Sequence, residues 1–400
     1  MLLQALTFQL GYNATLVTVG AILLGIAAGV TGTFLFLRKR ALVSDAIAHA
    51  TLPGVGLAFI AMTAMGLDGR WLPGLLLGSA LSAFLGLFAV QWLAARTRLS
   101  EDAAIGAVLS SFFAFGIVLL TIIQTIPTGG QAGLESFLLG STAGMILSDA
   151  ALIAGGGAAV VALVVLFRRP MTLISFDPGF AAARGMNLDR IDLVMMALVL
   201  GVVVVGLKIV GLIMIVALLI IPAVTARFWS DRSDHVVLFA GLFGGLAAWI
   251  GAALSATAPA LPTGPLIVLT AFAMFAASLL FAPARGLLSG YLRHRRFQKG
   301  VHIRQGLLAL AQGQPIYEPL TIRLLRAEGL ARPDGVPTEA GKARAARAQW
   351  DEKRWEIARA TPEFELAAAR YDGLTRLEEV LTPDQIDAID ARIAPPEVTA

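Results

Sequence analysis

The run from Ala41 to Gly54, ALVSDAIAHATLPG, places an aspartate and a histidine four residues apart in a stretch otherwise fit for lipid. Asp45 and His49 stand at i and i+4, so on a helix they project from one face. An ionisable group inside a membrane span is costly and by default marks the path of an ion or substrate. A carboxylate and an imidazole on one face are donors suited to a divalent transition metal. The stretch therefore reads as part of a membrane-embedded conduit for such metals. The competing reading is a mutually hydrogen-bonded pair that only fixes helix position. Two ligands are too few for tight binding, but a conduit needs an incomplete site that the ion can both enter and leave.

The rest of the chain agrees with a membrane setting. Of 400 residues, 57% are hydrophobic and only 14% charged, against about 25% charged in ordinary globular domains. The charge is concentrated after Arg285. This divides the chain into an apolar part, 1–285, a basic juxtamembrane linker, 286–300, and a polar part, 301–400. Apolar runs in the first part are long enough to cross about 30 Å of hydrocarbon. The first ten residues lack the basic n-region of a signal peptide. No cysteine is present, which excludes disulfides, iron–sulfur clusters and thiolate metal sites. The net charge of +4 is explained by basic loops on one side of a membrane without invoking nucleic acid.

Candidate spans fall at 15–37, 43–66, 71–95, 103–125, 144–167, 190–207, 209–227, 236–256 and 264–282, with a split near Gly206-Leu207-Lys208. Eight spans result if one segment is re-entrant. One set of loops carries Arg38, Lys39 and Arg40; Arg96 and Arg98; Arg168, Arg169, Arg184 and Arg190; Arg227 and Arg232; and Arg285 through Lys299. The other set carries Arg70 and Lys208. Basic residues favour the cytoplasmic side, so the N-terminus is expected outside and the C-terminal region inside. Gly25 and Gly29, Gly201 and Gly206, and Gly241 and Gly245 suit close helix packing. Pro53, Pro222 and Pro262 each remove a backbone donor in or beside a span.

A second motif is Ser175-Phe176-Asp177-Pro178-Gly179-Phe180-Ala181-Ala182-Ala183-Arg184-Gly185. Asp177 is a good N-cap, Pro178 a good first helical residue and Gly185 a natural stop. The expected product is a short helix in a loop between spans. It is either an ordinary interfacial helix or a coupling helix that docks into a cytoplasmic motor subunit.

The blocks SDAIAHATLPGV, SFDPGFAAARG, VGLIMIVALLIIPAVTAR and LPTGPLIVLTAFAMFAASLLFAPARG, in that order, resemble the permease subunits of metal-uptake ABC transporters. The likeness covers about residues 15–290. It implies an all-α polytopic membrane protein of importer type with eight or nine transmembrane helices. It also implies import of manganese, zinc or iron, driven by ATPase subunits on the cytoplasmic face and fed by an extracytoplasmic metal-binding protein. The permease would pair with a second copy or a related permease, and membrane lipid would surround it. Asp45 and His49 match the family's metal-contacting pair. Asp177, Pro178, Phe180, Arg184 and Gly185 fall in its coupling segment. No permanently bound cofactor is implied, since the divalent metal ion is the transported substrate.

In the polar part, 302–312 and 319–328 read as amphipathic helices. Residues 329–337 read as a hairpin turning at Pro-Asp-Gly, and Thr338 opens a long helix. The run Pro337–Ala345 and the later Arg354-Trp355-Glu356 resemble the DNA-binding end of iron-dependent repressors. The expectation is a small cytoplasmic winged-helix-like α+β domain. It departs from those repressors in having no histidine or cysteine over 303–400. Arg323, Arg326, Arg344 and Arg347 could neutralise phosphates, but Glu318, Glu328 and Glu339 intervene. A protein-facing or regulatory role is expected, and nucleic acid is not expected as a partner.

Three rivals differ in mechanism. An ABC permease for a metal chelate such as a siderophore or cobalamin would need a wide path without a metal-binding pair. An intramembrane hydrolase would use Ser44 with Asp45 and His49, but a five-residue offset on one helix is poor geometry for proton transfer. A proton-driven secondary transporter should show inverted repeats, and no convincing one is visible. No GxxxxGK[ST] sequence occurs, so an ATP-driven reading requires a separate ATPase polypeptide and the chain itself is not an enzyme.

Overall fold

The computed structural model describes residues 2–9, 11–69, 71–125, 147–258 and 261–393. It divides into two compact units, Met1–Ser289 and Gly290–Ala400. The first unit starts with α1 (Leu2–Leu6), α2 (Tyr12–Leu37), α3 (Ala41–Ala64), α4 (Leu72–Arg96) and α5 (Glu101–Gln124). It continues with α6 (Leu147–Phe176), α7 (Pro178–Ala183), α8 (Leu188–Val210), α9 (Leu212–Arg227), α10 (Ser233–Ser255) and α11 (Thr263–Phe281). Arg70 and the expected start of the fifth span at 144–146 lie outside the described residues.

Eight of the described helices are long and apolar enough to cross a membrane: α2 to α6, α8, α10 and α11. The ninth expected span is α9, with 16 residues. At 1.5 Å per residue it reaches about 24 Å, short of a full crossing. The break before it lies at Gly211, not at Gly206–Lys208. Gly211 has φ 81° and ψ 166°, a conformation that a side chain would oppose. Gly206 stays helical because it is a packing position: a Cβ there would meet the Ile215 side chain at 2.4 Å.

Small residues set how closely the helices approach. A Cβ on Gly25 would lie 2.3 Å from the Gly244 carbonyl oxygen, and one on Gly29 would lie 2.1 Å from that of Ala240. These contacts join α2 to α10. Gly32 meets the Leu219 carbonyl of α9 in the same way, at 1.8 Å. The glycines thus do what small residues do in lipid, where packing rather than hydrophobic drive holds helices together. Between α3 and α4, a Cβ added to Gly54 would lie 2.1 Å from the Gly78 carbonyl oxygen. Helix α3 is the most buried of the eight spans, with 67% of its apolar window inside the protein. The helix that carries Asp45 and His49 is therefore held by protein on most sides, which makes its two ionisable groups tolerable.

The second unit contains most of α12 (Leu287–Ala311), then α13 (Pro319–Ala327), α14 (Glu339–Ala360), α15 (Glu365–Ala368) and α16 (Pro383–Asp390), with single 3-10 turns at Pro362–Phe364 and Leu377–Glu379. The expected winged-helix α+β domain is not found. Among the described residues there is no strand, and the hairpin at 329–337 is reduced to one antiparallel bridge between Ala331 and Pro337. Pro333 and Pro337 have no N–H to offer a ladder, which stops pairing after one step. The long helix does start as expected, with the Thr338 hydroxyl accepting from the Gly341 N–H at 3.1 Å.

Arg354-Trp355-Glu356 turns out to be structural. Trp355 is fully buried among Ala358, Phe364, Leu377 and Ile389. Its indole N–H donates to the Thr375 carbonyl at 3.2 Å, and its ring lies 4.5 Å from that of Tyr371. Above this core, Glu352 accepts from Arg304 at 2.9 Å and from the Tyr371 hydroxyl at 2.7 Å. Burial pushes the Glu352 carboxyl up, but the hydrogen bonds from Arg304 and Tyr371 outweigh it and hold the group below the usual glutamate range.

Candidate functional site

Helix α3 begins at Ala41, and Asp45 and His49 occupy its second and third turns on one face. Asp45 Oδ1 and His49 Nε2 lie 3.4 Å apart. That is longer than the roughly 2.7–3.2 Å of a well-formed N–H···O bond. The two groups are neighbours without consuming each other's lone pairs. The Asp45 side chain is 40% exposed and that of His49 only 19%. Across from it, Phe113 of α5 meets the imidazole edge-on with ring centroids 5.1 Å apart. His49 Nδ1 is buried and has no hydrogen-bond partner among the described residues. A histidine kept only to lock a helix normally has its buried ring nitrogens satisfied; this one is positioned by packing and leaves a nitrogen uncommitted.

Pro53 adds to the polarity of this stretch. It is inside α3 and lacks the N–H that would bond the His49 carbonyl one turn earlier. A carboxylate, an imidazole and a freed carbonyl thus follow one another along the helix. Ser44, by contrast, is fully buried, and its hydroxyl donates to the Ala41 carbonyl at 2.6 Å. It is spent on its own helix, which removes the nucleophile that a hydrolase would need. Among the described residues no group of three or more histidine, aspartate or glutamate side chains is placed to hold a metal. Within one chain the described residues bring a single carboxylate and a single imidazole together here.

A cavity of about 650 Å³ opens one turn past His49, between α3, α4 and α5. Pro53, Gly54, Leu57, Leu81 and Phe115 line it, with only Ser82 and Ser111 polar. Its apolar walls suit hydrocarbon and not a hydrated dication.

The Asp177–Gly185 segment folds as its residues dictate. The Asp177 carboxylate accepts from the Phe180 N–H at 2.8 Å and caps α7, with Pro178 first in the helix. At the other end the Gly185 N–H bonds the Ala182 carbonyl and the Met186 N–H bonds that of Ala181, at 2.9 and 3.1 Å. Gly185 takes φ 76°, completing a Schellman stop. Ala181 is fully buried and anchors the short helix. Phe176, Phe180 and Arg184 are exposed, and the Arg184 guanidinium sits 5.1 Å from the Phe180 ring centroid. The segment presents an aromatic and cationic knob on a doubly capped helix.

One feature escaped local sequence patterns. Arg38 and Arg40, which count in the sequence only as loop charges, converge on Asp192 of α8. Arg38 Nη2 lies 2.6 Å and Arg40 Nη1 3.0 Å from the same oxygen, Asp192 Oδ2. Sequence separations of about 150 residues hide such a cluster. Phe113 against His49 was hidden for the same reason.

Comparison with known proteins identifies the family of the chain. Residues 12–282 match the ABC 3 transport family. The chain is 41% identical over 308 residues to the manganese transport system membrane protein MntC of Bacillus subtilis, covering 77% of this chain and 70% of that protein. It is 37% identical over 285 residues to the zinc transport system membrane protein TroC of Treponema pallidum, covering 71% and 94%. Among solved structures, PsaBC from Streptococcus pneumoniae in complex with Fab superposes with a TM-score of 0.63 at 30% identity, covering 74% of this chain and all of that one. The family match spans α2 to α11 and stops before the second unit. The chain belongs to the ABC 3 transport family, as a multi-pass membrane permease subunit.

Proposed function

We propose that the chain is the membrane-spanning permease of an ABC importer that moves divalent transition-metal ions, manganese, iron or zinc, into the cytoplasm. The observation that carries this reading is the Asp45–His49 pair on the most buried span: the two side chains lie 3.4 Å apart, and His49 Nδ1 has no hydrogen-bond partner among the described residues. Relatives named for manganese and zinc transport support it. Oxygen and imidazole donors suit all three metals, so the pair does not choose among them.

In this reading an extracytoplasmic binding protein delivers the ion to a pair of permeases, a homodimer or a heterodimer with a related chain. Asp45 and His49 contact the ion in transit. The site is weak in each chain, which lets the ion leave. ATPase subunits dock on Asp177–Gly185, with Phe180 and Arg184 as the contact knob, and drive its movement. The distribution of basic residues among the loops supports an orientation with that segment and the second unit in the cytoplasm of the bacterial cell and the N-terminus outside. The second unit acts on proteins and not on nucleic acid. Two of its four candidate phosphate-binding arginines are already engaged: Arg344 pairs with Glu328, and Arg326 bonds the Arg332 and Pro333 carbonyls.

The test is reconstitution of the chain in vesicles with its ATPase and binding protein. ATP-dependent accumulation of manganese, competed by zinc and iron, is expected. Phe180→Asp should cut accumulation at least about tenfold by burying a carboxylate where the ATPase docks, with metal binding to the permease unchanged. Accumulation that persists without any ATPase subunit would contradict the assignment.

A further inference from the structure

The turn between α2 and α3 is short and strained. Lys39 takes φ 59°, unusual for a residue with a side chain. The Lys39 N–H bonds the Phe36 carbonyl and the Arg40 N–H bonds that of Leu35, both at 3.0 Å, closing a Schellman turn with lysine where glycine is usual. The consequence is that Arg38, at the end of α2, and Arg40, the N-cap of α3, face one place.

That place is the root of the α7 segment. Arg38 Nη1 donates to the Ile174 carbonyl at 3.2 Å, three residues before Asp177. Arg38 Nη2 binds Asp192 Oδ2, four residues into α8. One guanidinium thus ties the chain entering α7 to the chain leaving it. Arg40 binds the same Asp192 oxygen through Nη1, and its Nε lies 3.0 Å from Glu101 Oε1. Glu101 is the first residue of α5, the helix that sets Phe113 against His49. Arg40 itself starts α3, so Asp45 follows about 7.5 Å further along a stiff helix.

We infer that Arg38, Arg40 and Asp192 are positioning residues that transmit displacement of the α7 segment to α3, and so to the Asp45–His49 pair; this rests on the coupling and metal-contact roles proposed above. The cluster is built for two arrangements. Asp192 is 14% exposed and Arg38 18%. Yet Asp192 Oδ1 and Arg38 Nε are buried with no hydrogen-bond partner among the described residues. Leaving such atoms unmade is costly, and a cluster serving stability alone would use them. The spare donor and spare acceptor belong to the two partners already joined. A small slide of α8 past α2 would convert the present single contact between Nη2 and Oδ2 into a side-on bidentate pair that adds Nε and Oδ1. The opposite charges would stay paired in both arrangements. Such an element, biased from either end, is what coupling between distant sites requires.

The experiment uses the complete transporter in vesicles and measures both ATP hydrolysis and manganese moved, giving metal transported per ATP. Asp192→Asn and Arg40→Gln should leave ATP hydrolysis within about twofold and lower the ratio at least tenfold. Arg40→Lys, which keeps a charge for Asp192, should recover most of it. Glu101→Gln is a milder second variant on a half-exposed side chain, and should lower the ratio two- to threefold in fully folded protein. Manganese binding to the purified complex, read by the metal's EPR signal, should survive in all four. An unchanged ratio in Glu101→Gln together with Asp192→Asn overturns the inference. So does a parallel loss of hydrolysis and transport with reduced yield, which a purely structural cluster would give. Failure of the underlying reading looks different: Asp45→Ala leaving manganese binding intact, or Phe180→Asp leaving ATP-driven transport intact.

Discussion

Asp45→Ala and His49→Ala are each expected to lower metal uptake by the reconstituted transporter on the order of 100-fold. Substituting even a group that only supports a metal ligand typically costs 10–100-fold in affinity or activity. A direct ligand in a site with two donors per chain has no neighbour to compensate, since no third acidic or histidine side chain stands close among the described residues. Asp45→Asn keeps the shape and removes the charge, so it should resemble Asp45→Ala. Ser44→Ala should leave uptake within about twofold, because that hydroxyl is committed to the Ala41 carbonyl. Protein level and detergent stability should stay normal in all of these. Unchanged uptake in either alanine variant would remove the pair from the path. Loss of protein in both would return it to a helix-fixing role.

Gly29→Val and Gly32→Val are expected to abolish correctly folded permease. The added Cβ would lie 2.1 Å from the Ala240 carbonyl oxygen in the first case and 1.8 Å from that of Leu219 in the second. Both obstacles are backbone, so no side chain can swing aside. Overpacking a core costs about 1–3 kcal/mol where side chains can adjust, and a forced separation of α2 from α10 or α9 costs more. Monodisperse protein recovered after mild heating in detergent is the measurement. Gly106→Ala and Gly155→Ala serve as controls. Nothing lies within 4 Å of a Cβ at either position, and both should match the unsubstituted chain. If Gly29→Val were as stable as those controls, the close approach of α2 and α10 would be wrong.

How far the sequence foretells this molecule depends on the range of the interaction. Asp177, Pro178 and Gly185 act within one turn of themselves, and α7 begins and ends where they prescribe. Hydropathy locates the spans for the same reason, since each answers to lipid and not to a distant residue. The break before α9 was misplaced because Gly206 and Gly211 look alike in sequence. Only the presence of Ile215 against the first and the positive φ of the second separate their roles. The winged-helix expectation failed where Pro333 and Pro337 outweighed a good turn sequence, leaving one bridge. Trp355 looked like part of a signature and is a core residue, a distinction that burial alone makes. The Arg38–Asp192–Arg40 cluster and the Phe113 contact with His49 join residues far apart in the chain, where no spacing rule reaches.

The central claim is that Asp45 and His49 contact the ion during transport. Pulsed EPR of manganese bound to the purified transporter tests it most directly, since a coordinated imidazole nitrogen leaves a resolved modulation. The chain itself has four histidines, so the His49 contribution is read from the difference between the unsubstituted complex and the His49→Gln complex. The account predicts nitrogen modulation in the unsubstituted complex, lost in His49→Gln and weakened with the affinity in Asp45→Asn. Manganese that binds the transporter with identical modulation in His49→Gln would contradict it.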